Sequence, residues 1–240
     1  MIAIVTGTVK PGLQMENLII SKEEERLQQY TSALLHLIDS GAFRKIVFCE
    51  NSNYNLQAFE LLKKEAAEKE TELEILSFQG NMEQASIQGK GYGEGEIMDY
   101  VFENSRLLRD ETYFVKMTGR LKIANIKKIA ELLKENKCYF NIPDHTIRDF
   151  YDTRIYGMPT ETFRKYFRKA YHRVMDREGI YLEKVYTRVL KEQKIEPDNF
   201  PRYPRIAGIS GSSGLTYEYT EWKCRIKDFI SMAGGYKVTK

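Results

Sequence analysis

Short apolar runs and helix-period stretches alternate along the first two thirds of this chain. Ile2–Thr6 is a brief run of apolar residues, as in a strand buried on both faces. Ser21 and Glu24 then form an S-x-x-E capping pattern, and Leu27, Tyr30, Leu34 and Ile38 recur at helical spacing until Gly41 stops them. Lys45–Cys49 predicts a second strand, Asn55–Glu70 a helix and Leu73–Phe78 a third strand. The glycine-alternating segment Gly89–Glu96 reads as a loop leading into a helix to Leu108. Tyr113–Met117 predicts a fourth strand, Asn125–Asn136 a helix and Cys138–Ile142 a fifth strand. Such an order argues for an α/β fold, with a mainly parallel sheet flanked by helices.

Past Pro143 the pattern changes. Ile147–Tyr156 alternates as an extended and antiparallel element would, and Pro159-Thr160 opens a helical region to about Gln193, interrupted near Gly179. Prolines at 197, 201 and 204 lead to a short extended run at Arg205–Ile209, the loop Ser210–Gly214 and a last helix, Glu221–Met232. One domain over 1–240 is expected, with an alternating strand-and-helix part over 1–145 and a helical part over 146–240.

Composition narrows this picture only a little. The 37 basic and 34 acidic residues nearly cancel, which gives no reason to expect a nucleic-acid partner. Cys49, Cys138 and Cys224 are widely spaced and fit reduced thiols in a cytoplasmic protein. The N-terminal run is too short and lacks the basic leader of a signal peptide, and no apolar run approaches a membrane span.

Candidate chemistry lies in three places. Gly89-Lys90-Gly91-Tyr92-Gly93-Glu94-Gly95-Glu96 sets a cation, an aromatic ring and two carboxylates between glycines that let a backbone approach a ligand closely. It satisfies neither the dinucleotide fingerprint nor the Walker A spacing. Lys116-Met117-Thr118-Gly119-Arg120 ends a predicted central strand, with Lys116 and Thr118 on one face. Arg120 joins them if the extension continues, and these cations suit phosphate oxygens. Asp152-Thr153-Arg154 sets opposite charges on one strand face, either as a structural ion pair or as part of a site. His36 and His172 read as helix residues, and His145 follows Asp144 after a strand; none has ligand spacing.

Taken together, Ile4–Thr8, Phe48–Ser52, Gly89–Glu96 and Lys116–Arg120 resemble bacterial glycosyltransferases of the GT-A type, of the capsule and lipopolysaccharide kind. The resemblance covers roughly residues 1–160. It implies a nucleotide-sugar donor at the carboxyl ends of the strands, with Thr6, Gly7, Thr8, Glu50 and Asn51 at its base and ribose. Lys90, Gly91, Tyr92, Gly93 and Glu94 would approach the donor, and Lys116, Thr118, Gly119 and Arg120 its diphosphate and sugar. Such enzymes usually carry a metal-binding D-x-D motif where this chain has Lys116-x-Thr118-Gly119-Arg120. Cations there would repel a divalent metal and replace it, so no cofactor is expected, although Asp144 and Asp152 could recruit a metal if they fold nearby.

An inverting transferase of this type also needs a carboxylate to deprotonate the acceptor hydroxyl. Glu183, at a predicted helix start, is the first choice and Asp152 the second; a retaining enzyme would need neither. The implied acceptor is a glycan or a lipid-linked saccharide, handled in the cytoplasm at the inner face of the membrane. Phe163, Phe167 and Tyr171, set against Lys165, Arg168, Lys169 and Arg173, either dock on anionic lipid or pack on the core. The alternatives are a sugar nucleotidyltransferase, for which Val9-Lys10-Pro11-Gly12 is a faint version of the basic loop, and a noncatalytic nucleotide-binding module.

Overall fold

The structure, a computed structural model, describes residues 1–11, 22–141, 150–209 and 216–232. The site-related expectations at Asp144, His145 and the Ser210–Gly214 loop lie outside these residues.

In chain order the elements are β1 (Ile2–Gly7), α1 (Glu23–Ser40), β2 (Lys45–Glu50), a 3₁₀ turn (Leu56–Phe59) running into α2 (Glu60–Glu68), and β3 (Glu72–Ser77). Then come α3 (Met82–Gln88), α4 (Lys90–Asn104), β4 (Tyr113–Thr118), β5 (Lys122–Ile123), α5 (Ile126–Ala130) and β6 (Tyr139–Asn141). The remainder is β7 (Asp152–Pro159), α6 (Thr160–Thr162), a π turn (Phe163–Phe167), 3₁₀ turns at Ala170–Arg173 and Asp176–Glu178, α7 (Leu182–Glu192), β8 (Ile206–Ile209), β9 (Thr216–Tyr217) and α8 (Glu221–Met232).

Six strands form one sheet in the order β3-β2-β1-β4-β7-β6. β1 pairs in parallel with β2 and β4, and β2 with β3, whereas β7 runs antiparallel to β4 and β6. The carboxyl ends of β1, β2 and β4 and the amino end of β7 therefore share one edge. β5, β8 and β9 make a small antiparallel sheet.

Period-two alternation sends the strands' side chains into two cores. Ile2, Ile4, Phe114 and Tyr156 pack beneath α4, α7 and the π turn; Ala3, Val5, Val115 and Met117 pack beneath α1, α2 and α5. Gly41 ends α1 in the left-handed conformation at φ 59°, where its N–H donates to the Ile38 carbonyl. Helix α1 begins after Lys22, which makes no side-chain cap; Ser21 of the expected capping box lies outside the described residues.

Three expectations fail instructively. The segment expected as a glycine loop is the first half of α4, which starts at Lys90 rather than Glu96. Only Gly89, at φ 105°, serves as a hinge, between α3 and α4; the Asp176 carboxylate accepts the Lys90 N–H at 2.8 Å and caps the new helix. The remaining glycines permit close helix packing. A Cβ at Gly91 would lie 3.0 Å from Leu182 Cβ, and one at Gly95 would overlap Tyr171 Cβ. The helix expected over Asn125–Asn136 shortens to α5, and the long helical region after Pro159 is broken into the π and 3₁₀ turns above. Phe163, Phe167 and Tyr171 are buried in the α4–α7 core, so they pack inward rather than facing lipid.

No described helix is long and apolar enough to cross a membrane. Cys49, Cys138 and Cys224 are all buried, unbridged thiols. Burial pushes the Cys138 thiol up to about 11, which keeps it protonated and poorly reactive.

Candidate active site

The shared sheet edge gathers most of the charged residues singled out in the sequence. At its floor is Lys116, on β4, with no exposed surface. A buried ammonium needs partners, and this one has three. It pairs with the Glu94 carboxylate from α4, donates to the Thr153 carbonyl on β7 at 2.9 Å, and lies 3.2 Å from Thr118 Oγ1. Lys116 and Thr118 thus share a face, as period two requires. The Tyr156 ring lies 5.7 Å from the same ammonium.

Thr153 ties this floor to α7. Its carbonyl accepts from Lys116, and its hydroxyl donates to Glu183 Oε1 at 3.2 Å. Glu183 is the second residue of α7 and is half-buried. The helix is fixed against β7 by the Thr187 hydroxyl, which donates to the Glu183 carbonyl at 2.7 Å and accepts from the Tyr151 N–H at 2.9 Å. Burial, together with the neighbouring charges of Glu94 and Asp152, pushes the Glu183 carboxyl up to about 7, against the opposing hydrogen bonds from its own N–H and from Thr153. A carboxyl that ionises near neutrality at a sheet edge is equipped to accept a proton.

Asp152 stands differently. Both its oxygens are engaged by Arg154, which donates from Nε at 3.0 and 2.8 Å, from its second guanidinium nitrogen and from its backbone N–H at 2.8 Å. The Arg154 guanidinium also stacks on the Tyr217 ring of β9 at 4.7 Å. Asp152 is thus a structural anchor that adds negative potential around Glu183.

A cationic group faces the edge from the α1 side. Arg26 is buried on α1, donating to the Thr8 carbonyl from Nε at 2.8 Å and lying 3.3 Å from the Tyr30 hydroxyl. Arg120 follows β4, lies 3.4 Å from Gln29 Oε1 and pairs with no carboxylate among the described residues. Burial lowers the Lys90 ammonium; Asp176 opposes this, while the positive charges of Arg120 and Arg26 lower it further. Arg26 is likewise brought down, by burial first and by Arg120 as well, with Tyr30 opposing. Three cations from α1, α4 and the β4 end thus lie within electrostatic range of one another. Arg26 escaped the sequence reading; the signal for it was a charge one turn before Tyr30 on the buried stripe of α1.

The remaining residues shape the rim. Thr8 Oγ1 donates to Asn51 Oδ1 at 2.6 Å. Glu50 is fully buried and accepts from the Ser52 N–H at 2.8 Å, the Tyr54 N–H at 2.7 Å and the Ser52 and Ser77 hydroxyls, so its oxygens organise the turn after β2. Gly7 and Gly119 allow close approach: a Cβ at Gly7 would lie 2.8 Å from the Phe48 ring, and the Gly119 N–H donates to the Thr6 carbonyl at 2.9 Å. Thr6 is buried within β1. Gly91 and Gly93 pack α4 against Leu182 and Asn51. Tyr92, expected near the donor, is buried with its ring 5.1 Å from that of Tyr171, on the core side of α4. Among the described residues no group of three or more His, Cys, Asp or Glu side chains is placed to hold a metal ion.

The sequence matches no protein-family model and no curated protein. Solved structures that resemble the chain include a nucleoside-diphosphate-sugar pyrophosphorylase from Vibrio cholerae RC9, at 12% identity over 83% of this chain and 91% of that one, with a TM-score of 0.47. HddC from Yersinia pseudotuberculosis resembles it at 10% identity over 69% and 80%, with a TM-score of 0.44. A protein from Desulfovibrio desulfuricans G20 described as a nucleotide-diphospho-sugar transferase does so at 12% identity over 83% and 78%, with a TM-score of 0.47. At this degree of likeness the site geometry, rather than the neighbours, bears on function.

Proposed function

We propose that this chain is a glycosyltransferase that moves a sugar from a nucleotide-sugar donor to a glycan or lipid-linked acceptor, with Glu183 as general base. The observation that carries this reading is the position of Glu183: a carboxyl ionising at about 7, hydrogen-bonded to Thr153 and set beside the Glu94–Lys116 pair. The cations Arg26, Lys90 and Arg120 face the same sheet edge. In the proposed reaction Glu183 takes the proton of the acceptor hydroxyl as its oxygen attacks the anomeric carbon. The bond from that carbon to the diphosphate breaks, and the electron pair leaves on the phosphate oxygen. Arg120 and Lys90, with Arg26 behind them, stabilise the negative charge that develops there.

Lys116 takes part indirectly. Wholly buried, it pairs with Glu94, one of the two carboxylates whose charge raises Glu183. The residues at the end of β4 do not fit a divalent cation, because an ammonium occupies the place where a carboxylate ligand would stand and Asp152 is engaged by Arg154. We therefore assign leaving-group stabilisation to side-chain cations. The context in surface polysaccharide synthesis, in the cytoplasm at the inner membrane face, follows from the resemblance of the sequence motifs.

Titration calorimetry with UDP, GDP and CMP, each with and without EDTA, tests the donor half of this reading. One nucleotide should bind, EDTA should leave its affinity unchanged, and Arg120→Ala should weaken it about 10- to 100-fold, the range for losing a charged hydrogen bond. Absence of binding by all three nucleotides would refute a nucleotide-sugar site, and binding abolished by EDTA would refute the side-chain assignment.

A further inference from the structure

The last helix presents an apolar stripe to solvent. Trp222, Ile226 and Phe229, spaced four and three apart on α8, are 60, 51 and 73% exposed. With Tyr219 just before the helix, they account for half of the large exposed apolar residues among those described. The opposite side of α8 is anchored. Cys224 and Asp228 are buried, Arg205 holds Glu221 at 2.8 and 3.0 Å and Asp228 at 3.0 Å, and the Tyr203 N–H donates to Asp228 at 2.7 Å. The stripe is therefore held outward by a partly buried ion network.

Charge decides what this face suits. Arg205 pairs with both Glu221 and Asp228, Arg202 lies 4.0 Å from Asp228, and Arg225 lies 3.6 Å from Glu221 in an exposed pair; Lys223 and Arg225 flank the stripe on either side and Lys227 lies beyond Lys223. With Glu218 in the turn before the helix, the five cations Arg202, Arg205, Lys223, Arg225 and Lys227 stand against three carboxylates, so the face keeps a positive excess. The Lys223 ammonium sits 5.6 Å from the Trp222 ring, and the Lys227 ammonium 4.2 Å from the Tyr203 ring. An apolar stripe containing a tryptophan and bordered by cations is the composition of a helix that lies in a lipid interface, with rings among the acyl boundary and ammonium groups at the phosphates. From the exposed stripe and its flanking cations we infer that α8 docks this protein on an anionic lipid surface, with Trp222, Ile226 and Phe229 inserted and Lys223 and Arg225 at the headgroups. This surface is independent of the nucleotide-sugar reading and replaces the buried Phe163–Tyr171 segment as the membrane-facing element.

Trp222 is the chain's sole tryptophan, so its fluorescence reports on this face directly. Vesicles of phosphatidylcholine mixed with phosphatidylglycerol should shift the emission to the blue and carry the protein down on sedimentation; vesicles of phosphatidylcholine alone should do neither. Lys223→Gln with Arg225→Gln should weaken binding about thirty-fold, from roughly five-fold per headgroup cation. Ile226→Asp with Phe229→Asp, both exposed and so without cost to the fold, should abolish it while leaving the circular dichroism unchanged. No blue shift with the mixed vesicles, or equal binding to both kinds, would overturn the inference. So would a blue shift without vesicles that grows with protein concentration alongside a dimer in sedimentation velocity, because a second copy would then cover the stripe.

Discussion

At the scale of the residue, Glu183 shows how position sets chemistry. A glutamate beside a lysine at a helix start looks like a solvated pair in sequence. In the fold Lys184 turns to the Tyr181 ring, 5.6 Å away, and Glu183 turns inward to Thr153. The sign of the resulting effect on stability is fixed by linkage. The carboxyl rises from 4.5 to about 7 on folding, so the folded state holds a proton that the unfolded chain has lost between those values. Its contribution is intact below 4.5 and is lost as pH climbs through about 7. Glu183→Gln should therefore match the wild type in acid and exceed it at alkaline pH, by at most about 3 kcal/mol because the group is partly solvated. Urea denaturation at mildly acidic and mildly alkaline pH measures this; a gap that does not widen with pH would mean that Glu183 is not raised.

Among the elements, α4 is the least expected and the most telling. Alternating glycines weaken a helix, each by about 1 kcal/mol relative to alanine, so Gly89–Glu96 reads as a loop when local propensity is the guide. Tertiary contacts override that preference. Ile97, Met98, Val101 and Phe102 are buried beneath it, and Asp176, nearly ninety residues on, caps its first turn. Nothing local signals that Gly95 faces Tyr171, because that contact joins segments far apart in the chain. The opposite signs of two effects give a test. Alanine at Gly95 would stabilise an isolated helix, but here its methyl overlaps Tyr171, so Gly95→Ala should destabilise by about 1–3 kcal/mol as overpacking does. A neutral or stabilising result in urea denaturation would contradict this packing of α4. By contrast β1, β2, β4 and the final helix are legible to within a residue or so, because their apolar pattern is continuous and turn-forming residues follow the strands: Gly7 at the end of β1, Asn51-Ser52-Asn53 after β2 and Gly119 after β4. The region after Pro159 was legible only as helical: its aromatic spacing fits an α-helix, but the chain spends that spacing in a π turn and 3₁₀ turns that seat Phe163, Phe167 and Tyr171 in one core.

Over the whole molecule, the reversal of β7 against β4 is what assembles the site. A parallel strand there would send Asp152-Thr153-Arg154 to the opposite edge, away from Lys116 and Glu183. With β7 antiparallel, Lys116 lies opposite Tyr156 and its ammonium reaches back to the Thr153 carbonyl. Candidate residues separated by as many as 177 positions, from Thr6 to Glu183, therefore meet at one edge, which explains why sequence motifs named most of them but not their partnerships. Lys116 and Arg120, neighbours in one motif, serve different ends: one is sealed beneath the site beside Glu94, and the other reaches toward α1.

The most direct test is the pH dependence of nucleoside diphosphate release from the nucleotide sugar whose nucleotide binds, followed in the wild type and in Glu183→Gln. The rate should rise with a single ionisation near 7 and level off above it, and the glutamine variant should bind the nucleotide normally yet turn over about 100- to 10,000-fold more slowly at every pH. A variant that keeps wild-type turnover, or a wild-type rate that is flat between mildly acidic and mildly alkaline pH, would contradict the role given to Glu183.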